Sequence, residues 1–313
     1  MSIIEVHKPG MLTTVQDLGR EGFGPLGVSP SGAADPVALR LGNRLVDNPE
    51  SAPALEMTLL GGTFVFPQGA AVALAGSDFG ATVDGTALAP WNSVQVQPGQ
   101  TLRLGASRSG ARCYLCVQGG IEVTPLMGSA STHLLSGLGG YEGRPLRKGD
   151  VLNIGPTNRP HANRGIASSV WERLSRRDVL RVTPGPQTDW FAPSSLHAFY
   201  AGSYRVGDLS NRMGLRLEGA AVTQRPGREM ITEGVSLGAV QVPAGGLPII
   251  LFVEQQTTGG YPKIANVISA DLHRLGQLRH RDEIRFKQVT LETARSLLIE
   301  QEELLASPDT VLK

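Results

Sequence analysis

The segment Glu254 to Lys263 carries many hydrogen-bonding groups directly after the apolar run Ile249 to Val253, which is typical of a buried strand. It reads Glu-Gln-Gln-Thr-Thr-Gly-Gly-Tyr-Pro-Lys, so amides, hydroxyls and an ammonium would meet at one sheet edge. We expect Gly259 and Gly260 to permit positive φ and to let backbone N–H groups approach a ligand closely. Such a loop suits an anion or a carbonyl oxygen, and a plain tight turn with exposed polar residues is the alternative.

Two further segments place polar groups near predicted strands. Gln187 lies in the run Pro184 to Asp189, and Arg212 lies in the run Asn211 to Gly214. The Arg212 guanidinium could hold a carboxylate or a phosphate with two parallel hydrogen bonds. Because an arginine beside a turn is usually solvated, a functional and a purely solvated Arg212 are both open.

The segment Val28 to Asp35 precedes a predicted helix whose apolar residues recur at spacing four. Helix N-termini attract anions, which makes Ser29 and Asp35 candidates for ligand binding. Asp35 is also placed to cap the helix, and Pro36 sits where a missing N–H is tolerated. Capping alone and ligand binding are equally open for this loop.

Several common catalytic motifs are absent from the sequence. There is no G-x-x-x-x-G-K-S/T phosphate loop, no G-x-S-x-G elbow, no H-E-x-x-H zinc pair and no Met-Lys-Met biotinylation tripeptide. The histidines show no metal-ligand spacing, so no metal site is predicted. Cys113 and Cys116 have C-x-x-C spacing but lie in a predicted strand without a second ligand pair. We interpret both as buried structural cysteines.

Composition and charge narrow the class of protein. The net charge is +1 with scattered Lys and Arg, so the basic footprint of a nucleic-acid-binding protein is missing. No signal peptide is visible at the N-terminus, and no apolar run approaches the ~20 residues that span a bilayer. We therefore expect a soluble, cytoplasmic protein that binds neither nucleic acid nor membranes.

Element patterns indicate a mainly β protein with few short helices. With 313 residues the chain is long enough for two hydrophobic cores, and 39 glycines with 21 prolines indicate many tight turns. Short strands are predicted from residue 54 to 120 and again from 179 to 286, and an amphipathic helix follows from Leu291. The predicted domains are an N-terminal β-rich domain at 1–165, a second β domain at 166–290, and a C-terminal helix and tail at 291–313.

Six motifs in order resemble the KipA family, also called allophanate hydrolase subunit 2, whose members are described as biotin-dependent carboxyltransferase-like. The motifs are Thr13–Arg20, Gly27–Asp35, Gly185–Gln187, Ser210–Gly214, Gly238–Pro243 and Thr257–Lys263. The resemblance implies a β-rich first half and a cyclophilin-like β-barrel in the second half. In one departure, His280-Arg281-Asp282 replaces the Pro-Gly-Asp that the family usually has before its last strand, which predicts a less tight turn.

A separate chain of this length is most similar to family members that serve in ATP-dependent 5-oxoprolinase. The resemblance therefore implies a hydrolase complex with two partner proteins, an A subunit plus a KipI-type B subunit. That complex would convert the small-molecule substrate 5-oxo-L-proline to L-glutamate with hydrolysis of ATP. The ATP site would lie on the partner chains or be shared with them.

The implied reaction gives roles to the candidate residues, because groups must hold anionic oxygens while charge develops. Lys263 and Arg212 would bind phosphate or carboxylate oxygens, and Asp17 or Asp35 would serve as a base. The remaining candidates would orient the lactam or line its site: Gln187, Gln255, Thr257, Thr258, Gly259, Gly260, Tyr261 and Ser29.

Two other functions stay open at this point. The chain could be the carboxyltransferase component of a urea carboxylase-like system that receives carboxybiotin from another chain, although such domains usually lie within much longer polypeptides. Biotin would be a cofactor only in that case. The chain could also be a KipA-like regulatory protein that binds a KipI-type inhibitor of a histidine kinase.

Overall fold

A computed structural model describes residues 2–157 and 160–312 of the chain. The described chain is mainly β, which confirms the predicted fold class. It divides into two compact units, each built from segments that are not contiguous in sequence. The two-sheet unit comprises Met1–Arg20, Ser31–Leu174 and Leu305–Lys313, and the barrel unit comprises Glu21–Pro30 and Ser175–Leu304. The three contiguous ranges expected from the sequence stay predictions of domain organisation.

The strands are short, as the abundance of glycine and proline indicated. The first part of the chain contains β1 (Ile3–Lys8), β2 (Leu12–Gln16), β3 (Ala54–Thr58), β4 (Thr63–Val65), β5 (Ala70–Gly76), β6 (Thr82–Val83), β7 (Thr86–Ala87), β8 (Asn92–Val96), β9 (Thr101–Arg103), β10 (Arg112–Val117), β11 (Ile121–Glu122), β12 (Val151–Ile154) and β13 (Gly165–Ile166). The second part contains β14 (Val179–Pro184), β15 (Tyr204–Val206), β16 (Gly214–Glu218), β17 (Glu233–Gly234), β18 (Ala239–Gln241), β19 (Ile249–Leu251), β20 (Thr258–Gly259), β21 (Lys263–Val267), β22 (Glu283–Gln288) and β23 (Val311–Leu312).

The described helices are α1 (Pro36–Leu45), α2 (Ser168–Ser175), α3 (Pro193–Ala201), α4 (Leu272–Leu275) and α5 (Leu291–Ala306). The Asp35 Oδ1 atom accepts a hydrogen bond from the Ala38 amide at 2.9 Å, so the predicted cap of α1 is confirmed. The predicted terminal helix is α5. The sequence patterns do not predict α2, α3 or α4. No helix within the described ranges is long and apolar enough to cross a membrane.

Two seven-stranded sheets form the two-sheet unit, in the orders β11-β12-β1-β4-β9-β6-β7 and β2-β3-β10-β5-β8-β13-β23. Strand β10 lies between β3 and β5 and is buried along its whole length. Both cysteines are free and buried on this strand, and burial is the main cause that raises the pKa of each thiol. The interpretation of Cys113 and Cys116 as structural residues is therefore confirmed.

The barrel unit closes in the order β14-β21-β18-β19-β16-β15-β22, with β22 running parallel to β14. The predicted buried strand before the polar segment is β19. Aromatic rings pack where helix α3 covers the barrel: Phe199 stacks on Phe286 with ring centroids 4.5 Å apart. The closed barrel confirms the prediction for the second half of the chain.

A turn of the same hydrogen-bonding pattern precedes the strands β12 and β22. In the first turn the Asp150 carboxylate accepts from the Arg147 amide at 2.7 Å, and in the second Asp282 accepts from the Arg279 amide at 3.0 Å. The residue before each aspartate has positive φ, +91° at Gly149 and +72° at Arg281. The turn that contains Arg281 is therefore as tight as the turn that contains Gly149, which corrects the expectation of a looser turn. Because Arg281 has a side chain, its left-handed backbone conformation is strained.

We expect Arg281→Gly to stabilise the protein by about 0.5–1 kcal/mol, because relief of the left-handed strain exceeds the added entropy of the unfolded chain. The free energy of unfolding in urea is the measurement. The matched reverse change, Gly149→Arg in the other unit, should destabilise by a similar amount. Equal stability of Arg281→Gly and the wild type would contradict the assignment of strain.

Candidate functional site

Lys263 opens strand β21 inside the barrel unit, and its side chain is only 5% exposed. Its ammonium donates to the Oε1 atom of Glu233, a carboxylate that is 45% exposed. The Gln187 Nε2 atom donates to the same Oε1 at 3.0 Å. Two donors from different segments thus converge on one carboxylate oxygen. The Lys263 bond, followed by the Gln187 bond, holds the pKa of the Glu233 carboxyl below its ordinary value of 4.5.

Backbone hydrogen bonds fix Gln187 against β21. The Gln187 Oε1 atom accepts from the Lys263 amide at 3.1 Å, and the Gln187 amide donates to the Lys263 carbonyl at 3.3 Å. This close approach depends on Gly185, where a Cβ atom would lie 2.3 Å from the Lys263 carbonyl oxygen. The backbone amide and the side-chain amide of Gln187 are therefore both held in place by Lys263, and Nε2 of Gln187 points at the Glu233 carboxylate.

A row of glutamine amides follows along the same segment. Gln256 Nε2 donates to Gln241 Oε1 at 3.3 Å, and Gln241 Nε2 donates to the Tyr261 carbonyl at 3.4 Å. Gln255 Nε2 donates to the Val235 carbonyl at 3.4 Å, while its buried Oε1 atom has no hydrogen-bond partner. A buried acceptor without a donor is costly, so Gln255 is equipped to receive a donor from a ligand or water.

Gly259 and Gly260 do not have positive φ, which corrects the conformation expected for this pair. Gly259 instead lies in strand β20, in register with Glu233 on β17. A Cβ atom at Gly259 would lie 2.4 Å from the Gln241 amide nitrogen. The lack of a side chain at Gly259 thus leaves room for the Gln241 side-chain amide, and a local turn signal in the sequence does not reveal that contact.

The predicted loop residues divide between the interior and the solvent. Thr258 and Gly260 are exposed and Tyr261 is 47% exposed, whereas Thr257 is half-buried. The buried members are Gln255, Gly259 and Lys263. The segment is accordingly more than an exposed turn, although part of it faces water.

Arg212 forms a buried ion pair rather than a solvated contact. Its Nε atom lies 2.5 Å from Glu254 Oε1, and the two side chains are 6% and 1% exposed. The backbone reinforces the pair, because the Glu254 amide donates to the Arg212 carbonyl at 2.8 Å. The interpretation of Arg212 as a solvated residue is therefore wrong. Its binding of a substrate anion stays a prediction, and such an anion would share the guanidinium with Glu254.

Asp17 lies in the two-sheet unit, and its carboxylate accepts four hydrogen bonds from the described part of the chain. Its Oδ1 atom accepts from Ser129 Oγ at 2.6 Å, Ser131 Oγ at 2.5 Å and the Gly19 amide at 2.8 Å. Its Oδ2 atom accepts from the Ala130 amide at 2.6 Å. These bonds tie the loop after β2 to the Ser129–Ser131 segment. A role for Asp17 as a base stays a prediction, and it would require one of these donors to leave.

Asp35 and Ser29 were the remaining candidates. Asp35 is buried and caps α1, while its backbone amide donates to the Tyr114 hydroxyl at 2.8 Å. Ser29 belongs to the barrel unit and is 2% exposed. No group of three or more His, Cys, Asp or Glu residues that could hold a metal ion is found in the described part of the chain.

Sequence reasoning did not identify Glu233 or assign a role to Gln241. Gln241 lies in one of the six family motifs, which was the available signal. Glu233 lies in a polar stretch without periodicity, and only the pairing of two two-residue strands, β17 and β20, brings it to Lys263.

Comparison with known proteins agrees with this architecture. The sequence profile described as carboxyltransferase domain, subdomain A and B, matches residues 26–288. The chain belongs to this carboxyltransferase domain family. The membership confirms the family that the six sequence motifs indicated.

Relatives in the carboxyltransferase domain family carry two kinds of names. The C subunit of the Escherichia coli K12 5-oxoprolinase is 41% identical over 93% of both chains, and its Haemophilus influenzae counterpart is 38% identical over 91% of this chain and 90% of its own. The crystal structure of the K. lactis urea amidolyase matches 99% of this chain with a TM-score of 0.90 and 31% identity. This chain corresponds to only 21% of that urea amidolyase.

We expect Gly185→Ala to destabilise the protein by about 1–3 kcal/mol, because its Cβ atom would collide with backbone that carries Lys263. Urea unfolding monitored by circular dichroism gives the value. Gly245→Ala is the matched control, since nothing lies within 4 Å of a Cβ atom at Gly245. Indistinguishable unfolding of the two variants would show that the Gln187 loop does not need the close approach.

We also expect the Glu233–Lys263 contact to stabilise the protein only while Glu233 is ionised. Its pKa is lowered in the folded state, so the contribution is present above about 4.5 and is lost as the pH falls through the folded-state value. The difference in Tm between the wild type and Glu233→Gln should therefore shrink between pH 7 and about pH 3. A difference that stays constant over this range would contradict the ionic contact.

Proposed function

We propose that this chain is the C subunit of an ATP-dependent 5-oxoprolinase, working together with a KipI-type B subunit plus an A subunit. The observation that carries the proposal is the end-to-end match with the corresponding E. coli protein, which covers 93% of both chains. That relative carries the name of a 5-oxoprolinase subunit, and this chain is similar to it over nearly its whole length.

The geometry in the barrel unit supports the substrate class. The compound 5-oxo-L-proline has one carboxylate and one lactam amide. The ammonium of Lys263 and the amide of Gln187 meet at a position that suits a carboxylate oxygen, as their contacts to Glu233 demonstrate. The unpartnered Oε1 atom of Gln255 is an acceptor of the kind that a lactam N–H requires.

Hydrolysis of an unstrained lactam needs activation, because its carbonyl carbon is a poor electrophile. Transfer of a phosphoryl group from ATP to the lactam oxygen makes that carbon open to attack by water. Residues of this chain would hold the substrate carboxylate and orient the ring while the negative charge develops. The sequence has no phosphate loop, so we assign the ATP site to the partner chains or to a site shared with them.

A carboxyltransferase function in a biotin-dependent urea carboxylase-like system is the second candidate. The observation that favours it is the fit of 99% of this chain to part of the K. lactis urea amidolyase. In that case the biotin would be carried by another chain, since this sequence lacks a Met-Lys-Met tripeptide. The same polar loop would then receive carboxybiotin.

The decisive experiment is reconstitution of this chain with the proposed A and B partner proteins. We expect phosphate release that requires 5-oxo-L-proline, that is lost when any one chain is omitted, and that avidin does not inhibit. Phosphate release that is independent of 5-oxo-L-proline, or that avidin abolishes, would exclude the 5-oxoprolinase assignment.

Within that complex we expect Lys263→Ala to lower kcat/KM for 5-oxo-L-proline by about 100-fold or more, as removal of a buried charged contact to the substrate carboxylate does. Steady-state phosphate release provides the measurement. Lys287→Ala on the exposed end of β22 is the control and should keep wild-type turnover. Wild-type kinetics of a correctly assembled Lys263→Ala complex would remove Lys263 from the mechanism.

A further inference from the structure

The barrel unit contains a carboxylate-binding position that is filled by the chain itself. The Lys263 ammonium and the Gln187 amide both donate to Oε1 of Glu233. The donors are fixed, because Lys263 opens a barrel strand and Gln187 is tied to the Lys263 backbone by two further hydrogen bonds. Glu233 Oε1 therefore occupies the place in which a bound carboxylate oxygen would be held.

Burial differs sharply between the two charges. The Lys263 side chain is 5% exposed, whereas the Glu233 side chain is 45% exposed. A buried ammonium without a counter-ion is strongly unfavourable, so Lys263 favours a bound anion. Glu233 can return to water at a small cost, because about half of its side chain is already solvated. The position thus needs an anion but does not specifically need Glu233.

The segment that carries Glu233 is weakly anchored. All residues from 223 to 237 are exposed or half-buried. Near Glu233, the backbone is held by the two-residue pairing of β17 with β20 and by two hydrogen bonds at Val235. The Val235 amide donates to the Thr257 carbonyl at 3.1 Å, and Gln255 Nε2 donates to the Val235 carbonyl at 3.4 Å. Segments with little buried apolar surface and few backbone bonds open at low free energy.

We propose that Glu233 is a displaceable internal ligand, which holds the position between Lys263 and Gln187 until the carboxylate of a small-molecule substrate replaces it. For 5-oxo-L-proline as that substrate the inference rests on the proposed function. The exchange breaks no covalent bond: one carboxylate leaves the two donors for water and another takes its place. Lys263 has a carboxylate partner both before and after the exchange.

Such competition has a direct consequence for affinity. If Glu233 leaves the site free for only a fraction of the time, the apparent affinity of the site for a ligand is multiplied by that fraction. Removal of the Glu233 charge should therefore tighten the binding of carboxylates. A residue that merely supports the fold would have no such effect, and a residue that contacts the substrate favourably would have the opposite effect.

The test is calorimetric titration of the full chain with 5-oxo-L-proline and, separately, with L-glutamate, without ATP or partner chains. We expect Glu233→Gln to bind 5-oxo-L-proline about tenfold tighter than the wild type or better. Glu229→Gln, an exposed acid on the same segment, is the control and should match the wild type within about twofold. The lactam alcohol that lacks the carboxylate should bind equally to all three proteins.

A second readout guards against a folding defect in the variant. Acylation of the Lys263 amine at fixed pH, followed by mass spectrometry, should be faster in Glu233→Gln than in the wild type, and 5-oxo-L-proline should protect it. Equal or weaker carboxylate binding by a folded Glu233→Gln protein would overturn the inference. If tightening occurs but the reconstituted complex shows no 5-oxo-L-proline-dependent phosphate release, the proposed function fails and the internal ligand stands.

Discussion

The ammonium of Lys263 is almost completely removed from water, and the barrel unit is organised around that constraint. A charge in this position needs an anion and further hydrogen-bonding groups close by. Glu233 supplies the anion, and Gln187 binds both the anion and the Lys263 backbone. Gly185 lets the loop after β14 approach closely enough for those bonds. One glycine, one glutamine and one two-residue strand thus meet around Lys263.

The buried polar residues of the two-sheet unit have a different character. The Tyr114 hydroxyl donates to Glu56 at 2.7 Å and accepts from the Asp35 amide at 2.8 Å, and Glu56 also accepts from the Ala34 amide at 2.8 Å. Burial, followed by the charges of Glu56 and Asp35, raises the pKa of Tyr114 well above its usual range. This network fixes the start of α1 to β3 and β10. Ala34 and Asp35 of the Gly27–Asp35 motif thus have a structural role, and ligand binding by Ser29 and Asp35 stays a prediction.

Local sequence patterns predicted many of the secondary-structure elements but few of the contacts in the candidate site. The cap at Asp35, the buried strand β19 and the helix α5 follow from residue spacing and capping chemistry. The positive φ expected at Gly259 was wrong, because this residue lies in the short strand β20, beside the side chain of Gln241 on a different strand. Glu233 could not be found from the sequence, since its position depends on a short non-local strand pair that has no periodic signal.

The two cysteines of β10 lie three positions apart on one extended strand, so their side chains point to opposite faces of the sheet. Cys116 packs against α1, where a Cβ atom at Gly42 would lie 2.7 Å from its sulfur, while Cys113 belongs to the core between the sheets. A disulfide requires Cβ atoms that face each other, so this strand cannot form one without unravelling. The folded protein therefore keeps both thiols free of an intramolecular disulfide, and oxidants reach them only when this part of the sheet opens.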